Sequence, residues 1–145
     1  MIRLRPSRPE DGDRALEIWR AAVDATHDFL SPEDRATIGE EVRAFLPTAP
    51  LMLAVDGRDR PLGFMLIVDG HMEALFIDPE HRGAGVGRLF IDYALAVHPT
   101  LSTDVNEQND QAVGFYEHMG FERIGWSATD GRGRPYPLIH LRFGV

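Results

Sequence analysis

Cysteine is absent from the 145 residues. Its absence removes disulfides, thiolate metal ligands and a cysteine nucleophile together, and it suits a reducing compartment. Long apolar runs are missing as well. The longest, such as Leu51 to Val55 and Phe64 to Val68, fall far short of the roughly 20 residues that a spanning helix needs, so no membrane partner is expected. The N-terminal MIRLRPSRPE is charged from its third residue and has no apolar core of the secretory kind, which makes the cytoplasm the expected location. Basic residues are in deficit, with 15 Lys and Arg against 23 Asp and Glu and a formal net charge of −8. A chain of that balance is poorly suited to neutralising many phosphates, so no nucleic-acid partner is expected; a cationic or neutral small partner is favoured. What is present is ordinary for a globular protein: 43% apolar and 26% charged residues. There is no repeat, low-complexity run or linker, and the length predicts one domain spanning 1–145.

The order of elements can be read from periodicity and punctuation. IRLR reads as a first strand. Ser7 with Glu10 three residues later and Pro9 in the first turn reads as a capping box, opening a helix over about 9–25 in which Leu16, Trp19 and Val23 recur at helical spacing. Ser31 and Pro32 restart a second helix through Ile38, Val42 and Phe45, and Pro47 and Pro50 end it. Leu51 to Asp56 and Pro61 to Val68 read as antiparallel strands around GRDR, and Asp69-Gly70 is a two-residue turn into HMEALFI. A helix carrying Leu89, Phe90, Tyr93, Ala94 and Val97 follows, then the strand LSTDV, then a helix from Gln111 to His118 capped by Gly120. FERIGWS and YPLIHLRF form a closing antiparallel pair. Strands and helices in this order predict an α/β fold of the α+β type: one mixed, mostly antiparallel sheet of about seven strands with about four helices packed on it.

The chemistry concentrates in Leu75 to Phe90, LFIDPEHRGAGVGRLF, which reads as strand, glycine-rich turn and helix. Gly83, Gly85 and Gly87 do not have the G-x-G-x-x-G spacing of a dinucleotide fold, and no Gly-Lys-Ser/Thr marks a nucleotide P-loop. A dinucleotide fingerprint would also sit on the first strand, whereas this loop follows the fourth. What the residues allow is convergence of backbone N–H groups at a helix N-terminus, where the dipole favours an anion such as pyrophosphate. The plain alternative is a tight strand-to-helix turn.

RGAGVG after LFIDP resembles the acetyl-CoA signature R/Q-x-x-G-x-G/A of the GNAT superfamily of N-acetyltransferases. A second block, NEQNDQAVGFYEHMGF, resembles that family's N-x-x-A-x-x-F-Y-x-x-x-G-F, filled by Asn109, Ala112, Phe115, Tyr116, Gly120 and Phe121. The two blocks stand in the family's order and spacing, and the element order agrees along essentially the whole chain. The DATHDFL and PYPL segments place the resemblance nearest to small bacterial members.

The resemblance implies that the fourth and fifth strands splay and that acetyl-CoA is the co-substrate, with no metal. The pantetheine arm would lie between those strands against the backbone of Phe76 and Ile77. The pyrophosphate would take the loop amides from Arg82 through Gly83, Ala84, Gly85, Val86 and Gly87 to Arg88, with the two arginines adding charge or standing in solvent. Asn106 and Asn109 would lie beside the cofactor, and Asn109 also suits an N-cap. Tyr116 occupies the family's position for the general acid to the departing sulfur; its plain alternative is packing with Phe115. The acceptor amine must lose a proton. Glu73, among apolar neighbours on the strand face it shares with His71, Leu75 and Ile77, is the first choice of base, with His71 or ordered water as alternatives. His27, Phe29 and Tyr136 would line the acceptor site, although His27 and Phe29 equally suit a staple between the first two helices.

The function implied is transfer of the acetyl group to a primary amine of a small molecule or peptide in a direct ternary complex, by a monomer or homodimer. The alternatives are a different acyl-CoA donor, a noncatalytic acyl-CoA-binding regulator, and an RNA-acetylating relative, against which the net acidity counts.

Overall fold

β1 (Arg3–Pro6) opens the chain, and the turn that follows it is built differently from the sequence expectation. Ser7 does not cap the first helix. Its hydroxyl donates to the Ala49 carbonyl at 3.3 Å and accepts from the Leu51 amide at 3.1 Å, tying the end of β1 to the approach to β2. The reciprocal bond is made by Asp11, whose carboxylate accepts from the Arg8 amide at 2.8 Å and also pairs with the buried Arg5 at 2.9 Å. Pro9–Asp11 is therefore a 3-10 turn, and α1 runs over Gly12–Thr26. The Arg5 hydrogen bond outweighs burial and holds the Asp11 carboxyl below its ordinary range.

The remaining elements follow the predicted order. They are α2 (Pro32–Phe45), β2 (Met52–Val55), β3 (Pro61–Val68), β4 (His71–Ile77), α3 (Val86–Val97), β5 (Leu101–Asn106), α4 (Asp110–His118), β6 (Glu122–Ser127) and β7 (Leu138–Phe143). The computed structural model describes residues 1–144, so Val145, the last residue of the expected domain, lies outside them. Ser31 caps α2 by accepting from the Asp34 amide at 3.1 Å. Asp69 and Gly70 both have positive φ, 51° and 77°, as the tight turn between β3 and β4 requires. Gly120, at φ 103°, ends α4 with its amide bonded to Glu117 and that of Phe121 bonded to Tyr116, a Schellman cap.

The strands form a seven-stranded sheet in the order β1-β2-β3-β4-β5-β7-β6. β1-β2, β2-β3, β5-β7 and β6-β7 are antiparallel, and β4-β5 is parallel. The parallel ladder pairs His71 with Ser102 and Met72 with Thr103; among the described residues its register goes no further, although β4 continues to Ile77.

Backbone packing resolves two compact units: Met1–Leu66 with Ala74–Phe90, and Ile67–Glu73 with Ile91 onward. In the first, the apolar stripe of α1 (Leu16, Trp19, Val23) packs with Leu53 and Val55 of β2 and Phe64 and Leu66 of β3, joined by Ile38, Val42, Ala74 and Phe76. Each large side chain so buried contributes about 1.5–3 kcal/mol. Trp19 is covered by the Arg35 guanidinium, 4.9 Å from its ring centroid. Gly63 of β3 allows β4 to lie close, since a Cβ there would stand 2.9 Å from the Phe76 carbonyl oxygen, a backbone atom that cannot swing away. Gly63→Ala is therefore expected to lower stability by about 1–3 kcal/mol, read as a lower urea midpoint; an unchanged midpoint would show that the strands part there at no cost. In the second unit, Tyr116, Phe121 and Phe143 pack edge-on or tilted at centroid distances of 5.4 and 5.6 Å, and Leu101, Val105, Ile139 and Leu141 of β5 and β7 are buried.

Candidate active site

The glycine loop belongs to the first unit, and it rests on a buried ion pair. At the end of β4, Asp78 is 8% exposed; its carboxylate takes the Arg14 guanidinium at 2.8 Å and the Glu80 amide at 3.1 Å. The Asp78 amide donates to the Leu62 carbonyl at 2.8 Å, and Arg14 Nε donates to the Pro61 carbonyl at 3.0 Å, so β3, α1 and the loop base are tied together. Burial opposes ionisation of Asp78, but the bonds from Arg14 and Glu80 outweigh it and hold the carboxyl below its ordinary range. A 3-10 turn over Pro79–His81 then leads into Arg82.

Gly83 and Gly85 have φ of 80° and 82°, and a Cβ at either would meet nothing within 4 Å. These glycines are required by the backbone conformation, and their missing side chains leave the backbone open to close approach from outside. The Arg82 and Ala84 amides are engaged by the Pro79 and His81 carbonyls at 3.3 and 3.4 Å, and the loop leads directly into the first turn of α3, whose leading amides have no partner within the helix. Val86 is buried and anchors the start of α3, while Arg82 and Arg88 are exposed. The open glycines and the start of α3 thus suit an anion such as a pyrophosphate. Phe76 and Ile77, which precede the loop on β4, are part-buried.

The second unit carries the side chains expected to act as acid and base. Tyr116, on α4, is 7% exposed and its hydroxyl is hydrogen-bonded to Thr103 of β5. Thr103 in turn donates to the Met72 carbonyl on β4 at 3.0 Å. Burial pushes the Tyr116 phenol well above its ordinary value, so it keeps its proton throughout the physiological range. On the other face of the same two-residue ladder, His71 Nδ1 lies 2.7 Å from Ser102 Oγ. Glu73 shares the His71 face but is exposed, not enclosed by its apolar neighbours. Asn109 is buried and caps α4, its side-chain oxygen accepting from the Ala112 amide at 3.2 Å. Asn106 ends β5 opposite Leu138.

The three residues expected around the acceptor are spread over both units. His27 and Phe29, just past the end of α1, meet ring to ring at 5.2 Å with their planes tilted by 44°, and burial lowers the His27 pKa against the opposing charge of Asp28. Tyr136 is buried in the second unit, in the segment before β7. Sequence reasoning missed Arg14, Thr103 and Ser102, and also Asp104 of β5 and His140 of β7, whose Oδ1 and Nδ1 lie 2.6 Å apart. Asp78 was legible only as part of a turn, because the arginine that buries it lies 64 positions away. Among the described residues no cluster of three or more His, Asp or Glu could hold a metal, and no helix is long and apolar enough to cross a membrane.

Comparison with known proteins agrees with this arrangement. Residues 23–133 match the family model described as an acetyltransferase (GNAT) domain. The chain is 54% identical over 143 residues to the peptidyl-lysine N-acetyltransferase YjaB of Escherichia coli K12, covering 99% of this chain and 97% of that protein. It is 55% identical over 141 residues to the protein of the same name from Salmonella typhimurium, covering 97% of each. The solution structure of the apo form of YjaB from Escherichia coli superposes with a TM-score of 0.96 at 53% identity, over 100% of this chain and 99% of that one. A coenzyme A complex of the PaiA N-acetyltransferase from Thermoplasma acidophilum, at 18% identity over 100% of this chain and 99% of that one, shares the fold with a TM-score of 0.80. A glycine-rich turn opening a helix, an open mixed sheet with one parallel pair and these relatives lead to one conclusion: the chain belongs to the GNAT family and is an N-acetyltransferase.

Proposed function

We propose that residues 1–145 work as one acetyl-CoA-dependent N-acetyltransferase domain whose acceptor is the primary amine of a lysine in a peptide or protein. The observation that carries the cofactor is the pair of left-handed glycines, Gly83 and Gly85, whose missing side chains face open space. When bound, acetyl-CoA supplies an acetyl group activated as a thioester. The backbone from Arg82 to Arg88 would hold the pyrophosphate, chiefly through the leading amides of α3, the backbone of Phe76 and Ile77 would orient the pantetheine arm, and the side chains of Asn106 and Asn109 would flank it. The lysine acceptor draws on the names of the two YjaB relatives, and the formal charge of −8 suits a cationic side chain. His27, Phe29 and Tyr136 are assigned to the acceptor site.

Tyr116 acts as general acid. A phenol that burial keeps protonated has a proton to give to the leaving sulfur at every working pH. The acceptor's proton goes to His71, which is part-buried and already hydrogen-bonded, in preference to the exposed Glu73. Transfer on this reading is direct, within a ternary complex, with acid and base both supplied by side chains.

The test is incubation of the purified chain with acetyl-CoA and a panel of lysine peptides, blocked N-terminal peptides and small amines, read by mass spectrometry. Acetylation at lysine Nζ with intersecting double-reciprocal plots is expected. Acetylation of small amines alone would move the acceptor class, and transfer from a longer acyl-CoA in preference to acetyl-CoA would move the donor. CoA binding without turnover on any amine would leave a noncatalytic binding protein.

A further inference from the structure

One line of side-chain contacts crosses four strands of the second unit. On β4, His71 Nδ1 meets Ser102 Oγ at 2.7 Å, and its Nε2 lies 3.3 Å from Asp104 Oδ2. The other oxygen of Asp104 lies 2.6 Å from His140 Nδ1 on β7, and His140 Nε2 lies 2.6 Å from Ser127 Oγ on β6. The register produces this alignment, pairing His71 with Ser102 and Asp104 with His140 on one face of the sheet.

Hydrogen accounting fixes the protons along the line. A carboxylate accepts and does not donate, so both imidazole nitrogens that face Asp104 carry hydrogen: Nε2 of His71 and Nδ1 of His140. In each neutral ring the second nitrogen is then an acceptor, taking the hydroxyl hydrogen of Ser102 in one case and of Ser127 in the other. His140 holds Oδ1, which keeps Oδ2 turned toward His71. Other titratable or charged groups about this face are Glu73, two residues along β4, Arg142 of β7, opposite Ser102, Glu122 of β6, opposite Arg142, and His98, beside the Gly70 turn.

We propose that Asp104 is a positioning residue for acetyl transfer: clamped by His140, it fixes the tautomer of His71 so that Nδ1, the nitrogen facing Ser102, receives the acceptor's proton. The amine N–H breaks as an O–H forms on Ser102, whose own O–H breaks as the N–H forms at His71 Nδ1. The resulting imidazolium keeps its Nε2–H toward Asp104, and the proton later returns to solvent by the same hydroxyl. This rests on the reading of His71 as the base.

Two measurements test it. Long-range 1H–15N spectra of the full chain at neutral pH without acetyl-CoA are expected to show the Nε2–H form at His71 and the Nδ1–H form at His140. Asp104→Asn, at an exposed position that should leave folding intact, is expected to lose the fixed His71 tautomer and to lower kcat/KM at least about tenfold near neutrality. The loss should shrink as pH approaches the alkyl-amine value of about 10, where free amine needs no base. His140→Gln should act in the same direction with a smaller effect. The opposite tautomer at His71 would overturn the proposal. So would an Asp104→Asn loss that is absent or equal at every pH while His71→Gln is impaired. A harmless His71→Gln would instead remove the base reading and this proposal with it.

Discussion

Tyr116→Phe is expected to lower kcat by about 10²–10⁴ while leaving acetyl-CoA affinity nearly unchanged, because a positioned acid acts on the chemical step. The substitution is unusually clean here. The ring contacts with Phe115 and Phe121, at centroid distances of 5.3 and 5.4 Å, are the same for a phenylalanine. Thr103 keeps its bond to the Met72 carbonyl, so loss of the phenol hydroxyl leaves no orphaned donor on β5. The stability cost should be about 1 kcal/mol, the net worth of one hydrogen bond. Steady-state rates together with calorimetric titration of acetyl-CoA separate the effects. A kcat within twofold of the parent would return Tyr116 to a packing role.

Gly85→Val is expected to weaken acetyl-CoA binding by well over tenfold, more than 1.4 kcal/mol. Two causes combine. A side chain at this position projects into the space from which a pyrophosphate would approach, and a β-branched residue at φ 82° is strained, bending the loop itself. Gly85→Asn separates them, since asparagine tolerates left-handed backbone yet still fills the space. If steric exclusion dominates, both variants lose affinity; if strain dominates, the asparagine variant binds nearly as the parent does. Parent-like affinity in both, measured by calorimetry on folded protein, would remove the pyrophosphate from this loop.

The elements were legible where local chemistry decides them. Asp69-Gly70, Ser31-Pro32 and Gly120 announce a turn, a start and a stop, and each acts as read because its effect lies within a few residues. The expected Ser7 cap differs because Ser7 is taken by Ala49 and Leu51, more than forty positions away, and no local signal marks that competition. The same limit applies to the site. The glycine loop and the Asn109 to Phe121 block are contiguous and could be read directly. Asp104 and His140 stand on different strands, 36 positions apart, and become neighbours only through the β5-β7 register. Period-2 alternation put Glu73 and His71 on one face, but it carries no information about how deeply either is covered.

The short β4-β5 ladder is held by side chains on both faces: Thr103 to the Met72 carbonyl on one, Ser102 to the His71 imidazole on the other. Because neighbouring side chains on a strand point to opposite faces, a slip of one residue would turn the imidazole into the apolar interior and expel Met72, breaking both bonds at once. The ladder therefore acts as a length gauge for the preceding turn. Inserting or deleting one residue between Asp69 and His71 is a change that this part of the sheet cannot absorb.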